Sequence, residues 1–159
     1  MSESLPRFRV EDVIREFTGR AQTWSDLQFI VGRLDPQPLR YPAGTRIFNQ
    51  GDEGDAMYFI VQGSVEVTYK DPAEDIESSL RIRVLSAPDV VGEMALVNNQ
   101  PRSATVTSLD ESLVYRLSRD NWRIIEESQP IMGSEIKNIA GRRAAELGLA
   151  IRIALQLNS

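Results

Sequence analysis

Three patterns of apolar spacing succeed one another along the chain. From Val10 to Leu34 apolar residues recur at helical intervals: Val10, Val13, Ile14, Phe17, then Trp24, Leu27, Ile30 and Val31. Gly19 interrupts that run, which predicts two short helices or one broken helix. Asp35-Pro36 and Pro38 then end helical structure, because proline lacks the N–H donor and restricts the residue before it. From Leu39 to Leu117 the pattern changes to short β-type runs between turns: Arg46–Phe48, Met57–Val61, Ser64–Tyr69, Leu80–Leu85, Ala104–Thr107 and Ser112–Leu117. Gln62-Gly63 reads as a tight hairpin turn, and the acidic segment Asp71–Ser79 as an exposed loop at the tip of the next hairpin. From Ser118, a good N-cap, the helical pattern returns; Pro130 closes one helix, and residues 134–157 read as a long final one weakened at Gly141 and Gly148. The predicted class is α+β, mainly β: a small antiparallel β-roll or jelly-roll barrel with N-terminal helices and a long C-terminal helix. The chain divides into a helical segment over 1–36, a β-roll with one helix over 37–130, and a terminal helix over 131–159.

The last helix carries more apolar surface than packing on one domain requires. From Ala144 to Leu157 only Gly148, Arg152 and Gln156 form a narrow polar stripe. Ile136, Ala140, Arg143, Leu147, Ala150, Ala154 and Leu157 follow heptad spacing, which predicts a homodimer formed through this helix.

Composition removes several kinds of chemistry. The 159 residues include no cysteine and no histidine, so disulfides, the usual zinc sites, thiol nucleophiles and imidazole acid–base catalysis are excluded. A β-roll oxygenase would need histidines for its metal, and no carboxylate cluster replaces them; no metal site and no enzyme activity are expected. The net charge of −5 argues against nucleic acid as the main ligand, since phosphate neutralisation supplies most non-specific affinity. No run approaches the roughly 20 apolar residues of a membrane span. The N-terminal MSESLPRFRVEDVIREF lacks the apolar core of a signal peptide, so a cytoplasmic location is the default expectation.

The informative stretch runs from Val91 to Val106, VGEMALVNNQPRSATV. Gly92 permits close backbone approach, and Glu93–Val97 is long enough for one helical turn whose free N–H groups favour an anion. Pro101 fixes the chain before Arg102, whose guanidinium can grip a phosphate through two parallel hydrogen bonds. An acidic residue beside such a site makes sense for a ligand carrying both phosphate and hydroxyls. Outside this setting, Arg102 and Glu93 would read as a surface ion pair worth ~0–1 kcal/mol, and Asp55 as a turn residue.

From Gly92 to Thr105 the chain resembles the phosphate-binding cassette of the cyclic nucleotide-binding domain family, roughly F-G-E-apolar-A-L-apolar-x-x-x-P-R-x-A-T, with Val91 replacing the usual aromatic. Gln50–Tyr58 is similar to that family's turn before the third strand and Gln62-Gly63 to its following hairpin, and the resemblance extends from Leu39 to Ser128. It implies that Arg102 pairs with the exocyclic oxygens of a cyclic phosphate and that Glu93, beside the Gly92 backbone, accepts from the ribose 2′-hydroxyl. It further implies that the N–H groups of Ala95 and Ser103 meet phosphate oxygens, that Met94 and Ala104 line the pocket, and that Asp55 holds the arginine from behind. The family's C-terminal helix acts as a lid over the base; with no aromatic residue between Ser134 and Leu157, the capping candidates are Arg142, Arg143 and Leu147. Ser103 occupies a position that bears on base identity without deciding it, and cAMP is the expected ligand with cGMP as the alternative. Such a domain is a sensor that passes occupancy through its last helix, hinged near Pro130–Ser134 and at Gly141, to a second copy or a separate effector. No helix-turn-helix follows that helix within the 159 residues, so direct DNA binding is not expected. The competing function is a domain of this fold that has lost its ligand and serves as an interaction module, against which the intact Gly92, Glu93 and Arg102 set argues.

Overall fold

The central strand explains why the molecule needs both a barrel and a helical layer. In a computed structural model that describes residues 5–19, 23–73 and 79–157, β3 (Ala56–Gln62) is buried along almost its whole length. Its side chains alternate between two cores, as strand geometry requires. Met57, Phe59 and Val61 face a helical layer, whereas Ala56, Tyr58 and Ile60 face the barrel interior.

Among the described residues, eight antiparallel strands form two four-stranded sheets. The first has the order β1 (Leu39–Tyr41), β8 (Ser112–Ser118), β3, β6 (Asp89–Val91); the second has β2 (Arg46–Phe48), β7 (Thr105–Ser108), β4 (Ser64–Tyr69), β5 (Leu80–Ser86). This is the predicted β-roll, with β1 and β6 as strands that the apolar pattern had not separated. Among consecutive strands only β4 and β5 pair with each other. The Gln62-Gly63 turn is therefore a corner where the chain leaves one sheet for the other, not a paired hairpin. Gly63 has φ 95°, and a Cβ there would lie 2.5 Å from Ser112 Oγ and 2.6 Å from the Glu111 carbonyl oxygen, so the corner admits no side chain. The tip of the β4–β5 hairpin, within the acidic Asp71–Ser79 segment, includes residues 74–78, which lie outside the described residues.

Helices α1 (Val10–Thr18) and α2 (Trp24–Val31) are the two expected on either side of Gly19, which caps α1 at φ 80°. Thr23 and Asp26 form a reciprocal capping box at the start of α2, each side chain accepting from the other's backbone N–H. Val13, Ile14, Leu27 and Ile30 are fully buried and share one core with Phe59, Val90, Trp122, Ile125 and Ile136. At ~1.5–3 kcal/mol for each large apolar side chain buried, these helices are integral to the fold.

Ser118 caps α4 (Arg119–Ser128) by accepting from the Asn121 N–H at 3.2 Å. α5 is one continuous helix, Pro130–Leu157, beginning four residues before the expected start. Pro130 stands in its first position, where the missing N–H costs nothing. The expected hinge at Pro130–Ser134 is therefore helical, and the backbone break falls at Gln129, φ −133° and ψ 71°. The heptad stripe is also partly consumed: Ile136, Ala140 and Leu147 are buried against their own domain. Leu149, Ile153 and Leu157 are the large apolar residues exposed on the distal half of α5. Among the described residues, no helix is long and apolar enough to cross a membrane.

Candidate functional site

A cleft opens between the second sheet, the short helix α3 (Glu93–Asn98) and α5. Its position follows from two local constraints. Gly92 precedes α3 in the left-handed conformation, φ 83°, and a Cβ there would stand 2.5 Å from Nη1 of Arg102. The Gly51-Asp52 turn then clamps the backbone of Arg102 from the other side: Gly51 N–H donates to the Arg102 carbonyl, and Arg102 N–H to that of Asp52, both at 2.8 Å. The two sequence motifs thus meet in space around one arginine.

Arg102 is 3% exposed. Its Nη1 donates to the Gly92 carbonyl at 2.8 Å and its Nη2 to the Ala56 carbonyl at 2.7 Å, while the guanidinium lies 4.1 Å from the centre of the Phe48 ring. Nη2 is also 3.8 Å from an oxygen of Asp55. Burial lowers the pKa of Arg102, yet guanidinium stays cationic in proteins. Its buried Nε has no hydrogen-bond partner. The result is a desolvated cation with spare donor capacity at one end of a cleft, an arrangement suited to an anionic group. Asp55, largely exposed, stands between two arginines, with its other oxygen 3.7 Å from Arg116, which in turn bonds Asp35 at 3.3 Å.

Glu93 is 1% exposed and does not pair with Arg102. Its carboxylate accepts from Nε of Arg143 at 2.5 Å, and the same guanidinium reaches Asp89 at 3.0 Å and the Val90 carbonyl at 2.8 Å. Desolvation raises the Glu93 pKa above the usual carboxylate range, an effect that the nearby Arg143 charge offsets in part. Arg143 belongs to α5, so the terminal helix is anchored to the carboxylate wall of the cleft.

Of the residues singled out in the sequence, Gly92, Glu93, Met94, Ala95, Arg102, Ser103 and Ala104 all line this one cleft, as do Arg143 and Leu147. Leu96, between these lining residues on α3, packs into the helical core. Arg142 is exposed on another side of α5, in a separate groove with Glu16, Phe17 and Ile139, and does not reach the cleft. The lining also includes Phe48, Val67, Arg83, Leu85, Val90 and Val106, which sequence reasoning missed. The alternation Leu80-Arg81-Ile82-Arg83-Val84-Leu85 suggests that both arginines face solvent. A bulge reverses this: Thr68 pairs with Arg81 but Val67 with Arg83, leaving Ile82 as the extra residue. Arg83 consequently faces inward, while Val84 is 45% exposed.

With this geometry in view, comparison with known proteins is decisive. A statistical description of the cyclic nucleotide-binding domain matches residues 38–128. The chain belongs to the cyclic nucleotide-binding domain family. It is 37% identical over 86 residues to a cAMP-dependent protein kinase regulatory subunit of Dictyostelium discoideum, covering 54% of this chain and 26% of that protein. It is 35% identical over 113 residues to the cGMP-dependent protein kinase, isozyme 1, of Drosophila melanogaster, covering 67% and 14%. The regulatory domain of Toxoplasma gondii protein kinase A, crystallised with cAMP, superposes with a TM-score of 0.64 at 27% identity, over 73% of this chain and 42% of that one. The chain therefore spans only a fraction of the length of these relatives.

Proposed function

We propose that this chain is a receptor domain that binds a purine 3′,5′-cyclic mononucleotide in the cleft and reports occupancy through α5. Arg102 carries the conclusion: a cation 3% exposed, oriented by two backbone carbonyls, one of them Gly92 at the start of α3, with a buried Nε that has no partner. A cyclic phosphate placed there meets the guanidinium together with N–H groups of Ala95 and Ser103. Glu93, one residue after Gly92, then accepts from the ribose 2′-hydroxyl, and Met94, Ala104 and Leu147 supply apolar walls. Asp55 acts through Arg102 by holding its guanidinium in place.

The output follows from what Glu93 already holds. Arg143 ties α5 to Glu93 and Asp89, so a sugar hydroxyl arriving at Glu93 changes the partners of the side chain that seats the helix. A ligand moves such an equilibrium only by its difference in affinity for the two seatings. The domain is a binding module rather than an enzyme, and its message passes to a separate effector or to a second copy docked on Leu149, Ile153 and Leu157.

Arg102→Ala tests the pocket. Removing a buried charge-assisted contact to the ligand costs about 2–5 kcal/mol, which is roughly a 30- to several-thousand-fold loss of affinity by calorimetry. A variant that folds and binds cyclic nucleotide as tightly as the parent would overturn the assignment.

A further inference from the structure

Asp55 stands between two arginines, and only one of them lines the cleft. Its Oδ1 lies 3.8 Å from Nη2 of Arg102 and its Oδ2 3.7 Å from Nη2 of Arg116. Both separations exceed hydrogen-bond length, so the carboxylate is shared as a charge rather than bonded to either guanidinium. Asp35 draws Arg116 the other way: Nη1 of Arg116 donates to Asp35 Oδ2 at 3.3 Å, and the Asp35 N–H donates to the Arg116 carbonyl at 2.9 Å. A third arginine close by, Arg119, spends its guanidinium on the Gly54 carbonyl and Asn99. Asp35, Asp55 and Arg116 are absent from the described residues that line the cleft.

Aromatic rings fix the spacing of the two arginines. The Arg102 guanidinium lies 4.1 Å from the centre of the Phe48 ring, and Phe48 stacks on Tyr58 with centroids 6.2 Å apart and planes at 23°. Tyr58 is the cross-strand neighbour of Arg116 between β3 and β8, so the two side chains share the barrel side of the first sheet. Arg102, Phe48, Tyr58, Arg116 and Asp55 thus close a ring. Through it runs a line of alternating charge: Asp35 negative, Arg116 positive, Asp55 negative, Arg102 positive.

Resting on the receptor function proposed above, we infer that Arg116 sets the affinity of the cleft for the ligand phosphate by neutralising Asp55, and that Asp35 limits how far it does so. A cyclic phosphate at Arg102 adds a negative charge to the end of this line. It shares Arg102 with Asp55, a like charge that opposes it. Arg116, on the far oxygen of Asp55, offsets that opposition, and Asp35 holds Arg116 back. The influence of each side chain on phosphate binding therefore alternates in sign: removing Arg116 weakens binding, and removing the Asp35 charge strengthens it. The side chains of Arg116, Asp35 and Asp55 are 28%, 40% and 62% exposed, so dissolved salt screens the effect.

Calorimetric titration of the intact chain with cAMP and cGMP tests this at about 0.01 M and about 1 M salt, between which the Debye length falls from about 30 Å to about 3 Å. At low salt Arg116→Met is expected to bind about three- to tenfold more weakly than the parent, and Asp35→Asn about two- to threefold more tightly. At high salt both variants should come within about 1.5-fold of the parent. Arg116→Lys keeps the charge and should stay within about twofold throughout. Arg40→Met, which removes an exposed arginine paired with Glu111 on the same sheet, is the control and should leave affinity within about 1.5-fold. Unchanged affinity for Arg116→Met at low salt, or a loss that persists at high salt, that Arg116→Lys shares or that Arg40→Met equals, would overturn the inference and leave the receptor function standing. Weaker binding by Asp35→Asn would do the same, and it decides the matter even if Arg116→Met does not fold. A parent that binds neither nucleotide would remove both.

Discussion

Arg143→Met isolates the contact that fastens the terminal helix to the binding cleft. The substitution keeps much of the side-chain stem but removes three interactions: to Glu93 at 2.5 Å, to Asp89 at 3.0 Å and to the Val90 carbonyl at 2.8 Å. Glu93 would then be a carboxylate with a side chain 2% exposed and no counter-ion. Removing one member of a buried pair typically costs about 3–5 kcal/mol. Because the Arg143 side chain is 24% exposed, a loss near the lower end, about 3 kcal/mol, is expected at neutral pH. Proton uptake by Glu93 limits the penalty, and the sign of the pH dependence follows. Burial already raises the folded-state pKa of Glu93 above its unfolded value, so the native state binds the extra proton. That contribution to stability is fully present below the unfolded pKa and is lost as pH rises through the folded one. Deleting Arg143 raises the folded pKa further, so the gap between variant and parent should be widest near neutrality and narrow as pH falls. Urea denaturation of the parent, both single variants and Glu93→Gln/Arg143→Met gives the coupling energy, expected to be about 1–3 kcal/mol. A cost below about 0.5 kcal/mol for Arg143→Met, or a gap that grows on acidification, would refute this account of the pair.

Three further outcomes follow from the same geometry. Gly92→Ala introduces a Cβ 2.5 Å from Nη1 of Arg102 at φ 83°; a loss of about 1–2 kcal/mol in stability for the left-handed backbone alone, with nucleotide binding abolished, should appear in denaturation and calorimetric titration. Arg102→Lys keeps the charge but not the fork that meets Gly92 and Ala56, so affinity should fall at least about tenfold in an otherwise folded protein. Ile153→Glu places a charge in the exposed Leu149–Ile153–Leu157 stripe; sedimentation should show any self-association of the parent lost, with thermal stability of the monomer changed by less than about 0.5 kcal/mol.

What the sequence displayed and what it concealed separate along physical lines. Local signals were readable: Ser118 as a cap, the break at Gly19, and the helical turn after Gly92 all depend on neighbours a few residues away. The cassette residues were readable because their chemistry is written contiguously from Gly92 to Ala104, and the cleft brings them together. Pairing between sheets was not. Gln62-Gly63 has the composition of a hairpin turn, and only the long-range partners of β3 and β4 make it a corner. Arg83 was hidden for a similar reason, since a single-residue bulge inverts the parity that its strand displays. The heptad stripe of α5 serves two surfaces that its spacing alone does not distinguish: Ile136, Ala140 and Leu147 are buried against their own domain, whereas Leu157 is exposed. Arg143, one of three capping candidates, reaches Glu93 because α5 crosses the mouth of the cleft, whereas Arg142, one residue earlier, turns to another face.

Calorimetric titration of the purified chain with cGMP and cAMP, with the linear 5′-monophosphates as controls, tests the central claim most directly. The account predicts saturable binding at one site per chain by a cyclic nucleotide, accompanied by thermal stabilisation that grows with ligand concentration, and no response to the linear forms at the same concentration. Absence of heat and of stabilisation with either cyclic nucleotide, in protein shown by mass spectrometry to carry no bound nucleotide, would contradict it.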